Sequence, residues 1–346
     1  MVDNLKRMSF NPCTGTNQEN LDGNRTLLKL IDKARRHASI ASGNFDRLFS
    51  DVEISPLPGT ISRLVKEVSR DEADLHRISE LITAAPEIAA KVLQTVNSAY
   101  FALPNPVSNI MRAINLLGLS QIRPLVLSFS MKQSLAPGID SLFDQNGFWS
   151  DALLKALIAR ALADQCCREE REEAFTAMLL ADIALPVLLT AWGDYYAPVI
   201  RQWQSVPDRL SHLEQAGFRW DHAQAGAWIL QNWGFPPELV CLVGLHNTGV
   251  EKLREVGLET SAALPVTIAA LAPSSMRPSS RRARQLVDAA TNLMSINRST
   301  LAEILAQVRF EFREISVLFD LLPEPGLVLV DLVDQAMAGQ DQEVAS

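Results

Sequence analysis

The sequence predicts an all-α protein, and three observations lead to that fold class. Apolar side chains recur at the spacing of one helix face. One such set follows the turn at residues 56–59 and comprises Ile61, Leu64, Val65 and Val68. No stretch alternates apolar and polar residues for long enough to indicate a sheet. The segments between helical stretches are short, which is typical of helices packed against their sequence neighbours.

The pattern of apolar and polar segments divides the chain into three regions. Residues 1–51 are predicted to be a polar tail with one appended helix. Residues 52–248 are predicted to form two helical lobes, the first at about 52–138 with about five short helices and the second at about 146–248. Residues 262–346 follow a polar connection and are predicted to form a C-terminal helical extension.

The composition excludes several classes of protein. Hydrophobic residues make up 47% of the 346 residues and charged residues 21%, which is ordinary for a globular protein. The formal net charge of −8 disfavours nucleic acid as a partner. The apolar run at 183–192 is interrupted by Pro186 and is short for a bilayer, so we expect no membrane insertion. Four cysteines are too few for a small secreted disulfide scaffold, so a reducing cytoplasm fits best.

Polar residues of the second lobe are candidates for a metal site. Asp151, Asp182, His222 and His246 lie in different helical segments, and side chains from separate helices of a bundle can converge on one ion. A structural alternative stays open for both histidines. His222 follows a plausible helix cap at Asp221, and His246 lies at a helix end, where an imidazolium interacts favourably with the helix dipole.

Several short motifs occur in the order found in one known family. They are Pro56-Leu57-Pro58, the segment ITAAPEIAAKVLQTVNSAY at 82–100, AINLLG at 113–118, Phe148-Trp149, the segment 174–184, Glu214, Asp221-His222-Ala223, Trp233-Gly234-Phe235-Pro236 and His246-Asn247. In this combination the sequence resembles the HDOD domain over roughly residues 52–248. The resemblance implies a two-lobed helical domain whose second lobe is similar to the HD metal-dependent phosphohydrolases, and a role in bacterial signal transduction.

The resemblance also implies that the metal site is degenerate. The HD enzymes carry an adjacent His-Asp pair, and this sequence has Ala181-Asp182 at that position. The position of an earlier histidine is Asp151, and a glycine that often follows the pair is Ala184. A site that loses imidazoles loses affinity for a transition metal and the geometry that activates water. We therefore expect no catalysis and no cofactor, with Asp182 held by a cation or by His222 or His246.

These observations predict a non-catalytic bacterial signalling module that binds a protein partner. The Asp182 region is then a structural polar cluster, or a pocket reused to sense a ligand. The alternative function is a metal-dependent phosphohydrolase or phosphodiesterase acting on a nucleotide or cyclic dinucleotide, through Asp182, His222 and His246. The identity of the partner and the formation of a homodimer stay open.

Two further sets of residues are candidate binding surfaces. Asn97, Ser98 and Tyr100 follow an apolar helix and could present small polar groups to a partner, or Asn97 could end the helix in a left-handed conformation. A cluster of arginines in an otherwise acidic chain could form an anion or nucleic-acid patch, or a solvated loop and helix start. These arginines are Arg277, Arg281, Arg282 and Arg284.

Overall fold

The structure is a computed structural model that describes residues 57–70, 72–99, 101–135, 144–206 and 208–339. Within these ranges the chain forms helices and connecting loops, with one isolated β-bridge between Ser274 and Arg277. The predicted all-α fold class is confirmed. The N-terminal tail and its appended helix lie outside the described residues.

The first lobe contains five helices in its described part, as predicted. They are α1 (Gly59–Val68), α2 (Leu75–Thr83), α3 (Pro86–Val96), α4 (Ile110–Leu117) and α5 (Leu119–Ser134). The apolar face predicted for α1 is buried along its whole length. Asp74 caps α2 because its side chain accepts hydrogen bonds from the backbone N–H groups of His76 and Arg77.

The second lobe begins with a long helix that crosses the centre of the molecule. Its helices are α6 (Gln145–Cys166), α7 (Arg171–Leu180), α8 (Ala184–Ser205), α9 (Leu210–Phe218), α10 (His222–Asn232), α11 (Pro237–Leu245) and α12 (Val250–Val256). A 3-10 turn, Arg168–Glu170, precedes α7. Asp221 and Gln224 form a capping box that fixes the first turn of α10, so the predicted cap of this helix is confirmed.

The C-terminal extension packs against both lobes. It contains α13 (Ala263–Ala269), α14 (Ser280–Leu293), α15 (Arg298–Leu318) and α16 (Glu324–Ala338). Arg160 on α6 forms an ion pair with Glu311 on α15, with 2.5 Å between Nη2 and Oε2. Beyond the end of α15, the ring of Phe319 lies 4.5 Å from that of Phe129 in the first lobe. The extension therefore shares one apolar core with both lobes.

One helical stretch in the described part of the chain is long and apolar enough to cross a membrane. It is Arg168–Ser205, with a mean hydropathy of 1.9, and includes α7 and α8. This stretch is longer than the apolar run that the sequence indicated. Because 78% of its apolar window is buried inside the protein, it has the environment of a core helix in a soluble protein.

Candidate functional site

A cavity of about 1200 Å³ lies between the second lobe and the C-terminal extension. Its inner wall is formed by the middle of α6, the turn between α7 and α8, and the ends of α10 and α11. The loop at 273–279 and the first turn of α14 contribute the opposite wall. The structure brings all four candidate polar residues of the second lobe to this cavity, namely Asp151, Asp182, His222 and His246.

Three of these residues form a compact cluster. Asp182 lies in the turn after α7, His222 is the first residue of α10 and His246 ends α11. Asp182 Oδ1 is 3.4 Å from His222 Nε2 and 3.5 Å from His246 Nε2. One potential ligand atom from each residue lies within 4.8 Å of the others. The structure therefore brings these three candidate residues together.

His222 is held at Nδ1 by a buried carboxylate. Glu214 Oε2 lies 2.6 Å from His222 Nδ1 and accepts a hydrogen bond from the backbone N–H of the same residue at 2.9 Å. The hydroxyl of Tyr196 donates to the other oxygen of Glu214. Burial opposes a charge on His222, but Glu214 and Asp182 outweigh it and raise the pKa of the imidazole well above its usual value.

Asn247 completes the surroundings of the His222 ring. Its side-chain nitrogen lies 2.8 Å from His222 Nε2. This contact is a hydrogen bond when the ring is neutral, since Nε2 then accepts, whereas an imidazolium donates from Nε2 toward Asp182. Glu214 thus contacts the ring at Nδ1, and Asn247 and Asp182 both contact it at Nε2.

His246 directs its second ring nitrogen at the same cluster. Its Nδ1 lies 2.7 Å from the carbonyl oxygen of Val243, which can only accept, so Nδ1 donates in this contact, and Nε2 lies 3.5 Å from Asp182 Oδ1. The residue is only 2% exposed, and Nε2 has no hydrogen-bond partner among the described residues. A buried polar atom without a partner is costly, so this nitrogen is available to a ligand.

Lys155 is the cation that compensates Asp182. Its Nζ lies 2.8 Å from Asp182 Oδ2, and the two side chains are 11% and 14% exposed. Burial alone would raise the pKa of Asp182, but Lys155, and then the neighbouring imidazoles of His222 and His246, hold it well below its usual value. The expectation that Asp182 needs a cation is confirmed, but the closest one is Lys155 rather than a histidine.

Asp151 does not join this cluster and instead anchors the C-terminal extension. Its carboxylate accepts hydrogen bonds from Ser274 Oγ at 2.5 Å and from the backbone N–H of Ser275 at 2.9 Å. Burial raises the pKa of Asp151, and Lys155 and the serine hydrogen bonds oppose that shift. The grouping of Asp151 with the other three residues is therefore wrong: its oxygens are directed at the 273–279 loop.

The donor set fits a catalytic metal only in part. Asp182, His222 and His246 could supply three ligand atoms, and His246 Nε2, which has no hydrogen-bond partner among the described residues, suits this role. Ala181, fully buried at the end of α7, supplies none. Lys155 places a fixed positive charge against the same carboxylate, and that charge repels a divalent ion. The residues present therefore fit a catalytic metal poorly.

The four arginines of the predicted anion patch all line the cavity, with Arg281 and Arg284 exposed and Arg277 and Arg282 partly buried. Arg277 Nη1 donates to the carbonyl oxygens of Trp203 and Asp208, both at 3.0 Å. Arg282 donates to the carbonyls of Ala270 and Leu271. The interpretation of these arginines as a solvated surface is therefore wrong for Arg277 and Arg282, because backbone carbonyls hold both guanidinium groups.

Asn97 has a structural role in the first lobe. Its side chain accepts a hydrogen bond from the backbone N–H of Val107 at 2.7 Å and donates to the carbonyl of the same residue at 2.8 Å. Asn97 ends α3 with φ −88°, so the left-handed conformation predicted for it is wrong. Ser98 donates to the carbonyl of Thr95, and Tyr100 lies outside the described residues. A binding role for this surface stays a prediction.

Sequence reasoning missed Lys155 and Arg209, although both line the cavity. A signal for Lys155 was present, since it is a charged residue in the apolar run 152–159 and lies one helical turn after Asp151. Arg209 precedes α9 in a polar segment with no periodic pattern. Nothing in its local sequence distinguishes it from a solvated loop arginine.

Comparison with known proteins identifies the family. The HDOD domain matches residues 54–248, which is more than half of the chain. The chain belongs to the HDOD domain family. Within the HDOD domain, the matched residues include Lys155 and the Asp182 cluster, whereas the four arginines of the C-terminal extension lie outside it.

Several solved structures share the HDOD fold. A candidate phosphohydrolase from Shewanella amazonensis SB2B is 22% identical with a TM-score of 0.57, covering 86% of this chain and 97% of that one. An HDOD domain protein of unknown function from Geobacter sulfurreducens is 17% identical with a TM-score of 0.56, covering 70% of this chain and 77% of that one. A candidate signal transduction protein from Marinobacter aquaeolei VT8 is 19% identical with a TM-score of 0.54, covering 83% of this chain and 61% of that one.

One curated relative also matches the chain. An uncharacterised protein of Treponema pallidum (strain Nichols) is 21% identical over 201 residues, or 56% of this chain. The chain spans 38% of the length of that relative. At these identities the solved structures show the fold, and a function for this chain has to be argued from its own site.

Proposed function

We propose that this HDOD protein is a non-catalytic signalling module of the bacterial cytoplasm that acts by binding. The observation that carries the proposal is the ion pair between Lys155 Nζ and Asp182 Oδ2 at 2.8 Å. In this arrangement the carboxylate already has a cation supplied by the chain itself. Ala181 adjoins it with a methyl group and no donor atom. Hydrolysis at neutral pH needs a metal that ionises its bound water, and this charge arrangement disfavours one.

The partner in this proposal is a signalling protein, and α15 is the element through which the two lobes are coupled. Glu311 on α15 pairs with Arg160 of the second lobe, and Asp320 beyond its end pairs with Lys91 of the first lobe at 2.6 Å. A partner that engages either lobe would shift the position of the other through this helix. The name of the Marinobacter relative, a candidate signal transduction protein, agrees with this role.

The second candidate function is a metal-dependent phosphohydrolase, and one specific observation favours it. His246 Nε2 is buried, has no partner among the described residues, and lies with Asp182 and His222 in a group of three potential ligands. The name of the Shewanella relative, a candidate phosphohydrolase, points the same way. For this function, Lys155 would have to leave Asp182 when a metal enters.

Metal content and hydrolysis separate the two candidates. We would purify the full chain without chelator, measure bound metal, and assay a panel of phosphodiesters after adding manganese, iron or magnesium. The proposal predicts metal well below one equivalent and no turnover above that of an Asp182→Asn variant. Near-stoichiometric metal together with turnover, both lost in Asp182→Asn, would establish the phosphohydrolase instead.

A further inference from the structure

The cavity beside the Asp182 cluster carries an excess of positive charge. Six lysine or arginine side chains and three aspartates line it, whereas the whole chain has a formal net charge of −8. The aspartates already have partners. Lys155 compensates Asp182, Ser274 and Ser275 satisfy Asp151, and Asp208 accepts from His212 Nδ1 at 2.8 Å. Even with these carboxylates counted, the six cationic side chains outnumber the three aspartates of the lining, so its formal charge is positive.

Two of these arginines are fixed in place without a carboxylate. Arg277 and Arg282 donate to backbone carbonyls, and among the described residues neither forms an ion pair with a carboxylate. A carbonyl orients a guanidinium but does not neutralise its charge. Burial, and then the nearby charges of Arg209 and Arg277, lower the pKa of Arg282 to about 10, so the group stays charged at neutral pH. The guanidinium-bearing residues Arg209, Arg277 and Arg282 all line the same cavity.

Two further arginines of this wall have no fixed role in the fold. Arg209 is half-buried and Arg281 is exposed, and the part of the chain that the structure describes shows no ion pair or hydrogen bond for either guanidinium. The first turn of α14, with Ser279 and Ser280, lines the same wall and adds the partial positive charge of a helix N-terminus. Four arginines, Arg209, Arg277, Arg281 and Arg282, and the N-terminus of α14 therefore line one cavity.

An independent observation indicates that the cavity receives a ligand. His246 lines it, is only 2% exposed, and keeps Nε2 without a hydrogen-bond partner among the described residues. An imidazole nitrogen at this depth can hydrogen-bond a polar group of a bound molecule. The cavity thus offers an unsatisfied ring nitrogen beside the Asp182 cluster, together with cationic donors from Arg209 and the 277–284 stretch.

We propose that this cavity binds a small phosphate-bearing molecule whose phosphate groups contact Arg209, Arg277, Arg281 and Arg282. Arginine donors match phosphate oxygens in pairs, and a helix N-terminus favours the same anions. At about 1200 Å³ the cavity is large enough for a ligand of nucleotide size, and its concave shape suits a small molecule better than a polymer. This inference rests on the proposed binding function and gives it a ligand class.

Calorimetry with inorganic pyrophosphate tests the inference on the full chain without added metal. Arg209→Gln and Arg281→Gln remove side chains that the described fold does not use, so both variants should fold. We expect wild-type binding, about tenfold weaker in each variant because each loses a charge-assisted contact. The matched control is Arg313→Gln, an exposed arginine on α15 that does not line the cavity, and it should bind like the wild type.

The outcomes distinguish this inference from the proposed function. Absent binding, or equal weakening in Arg313→Gln, would overturn the phosphate site and leave the non-catalytic function standing. Equal affinity for citrate and pyrophosphate would overturn the phosphate class. Release of free phosphate after adding manganese, with binding still dependent on Arg281, would support the cavity and overturn the non-catalytic function.

Discussion

Lys155 Nζ lies 2.8 Å from Asp182 Oδ2, and both side chains are largely buried. Lys155 is one helical turn after Asp151 on α6, so the two residues share a helix face and both reach the cavity. The pair thus places the positive charge of a lysine side chain beside the carboxylate. A chelator cannot remove this charge, so the local structure should not depend on metal.

Lys155→Met should destabilise the protein, because it leaves a buried carboxylate without its cation. We expect a loss of about 3–5 kcal/mol in the free energy of unfolding, measured in urea. Lys155→Met combined with Asp182→Asn should recover much of that loss, since neither charge then remains. A loss below about 1 kcal/mol for the single variant would show that the pair behaves as an exposed salt bridge.

Lys155→Met should also change metal binding. Without Lys155, Asp182 Oδ2 is open beside His222 and His246, and the repulsion between the ammonium and a divalent ion disappears. We expect zinc to bind about tenfold or more tightly to Lys155→Met than to the wild type in equilibrium dialysis. Lys155→Arg keeps the charge and is the matched control. Equal zinc affinity in Lys155→Met and Lys155→Arg would contradict this account.

Asp151 should make stability fall as pH rises through a defined window. Its pKa is raised by burial, so between the unfolded value of about 3.9 and the folded value the native state binds more protons than the unfolded chain. The free energy of unfolding therefore decreases with rising pH in that window. Asp151→Asn should lack this contribution. The variant should gain stability relative to the wild type as pH rises above about 4 in urea unfolding, and no change with pH would refute the assignment.

Tyr196→Phe should cost about 1–3 kcal/mol, because it removes a hydroxyl that donates to the buried carboxylate of Glu214. Tyr195→Phe is the matched control, since Tyr195 is 64% exposed. Denaturant unfolding of both variants gives the comparison. If the two substitutions cost the same, the Tyr196 to Glu214 hydrogen bond does not stabilise the His222 surroundings.

Asn97→Asp should destabilise the first lobe. The variant keeps an acceptor for the Val107 N–H but places a carboxylate oxygen against the Val107 carbonyl, where the wild type donates a hydrogen bond. We expect a loss of about 1–3 kcal/mol in unfolding, and a smaller one for Ser98→Ala, which loses a single hydrogen bond. Unchanged stability in Asn97→Asp would argue that Asn97 serves binding instead.

The predictions that succeeded rest on local patterns. Apolar spacing located α1, and the Asp221 cap located the start of α10. Where a prediction from the sequence was wrong, the local composition was compatible with two environments, one solvated and one inside the protein. The stretch at 277–284 has the composition of a solvated loop and helix start, and only tertiary contacts, such as those of Arg277 with the carbonyls of Trp203 and Asp208, place its arginines at a cavity.

The sequence by itself determined the all-α fold, the HDOD resemblance and the loss of a histidine at Ala181, because periodicity, motif order and residue identity are written along the chain. Tertiary structure decided that Lys155 compensates Asp182 and that Asp151 binds Ser275, 124 positions away. It also decided that the arginines face this site. The physical reason is that helical periodicity gives the buried face of each helix, whereas contacts between charged groups depend on how distant helices pack.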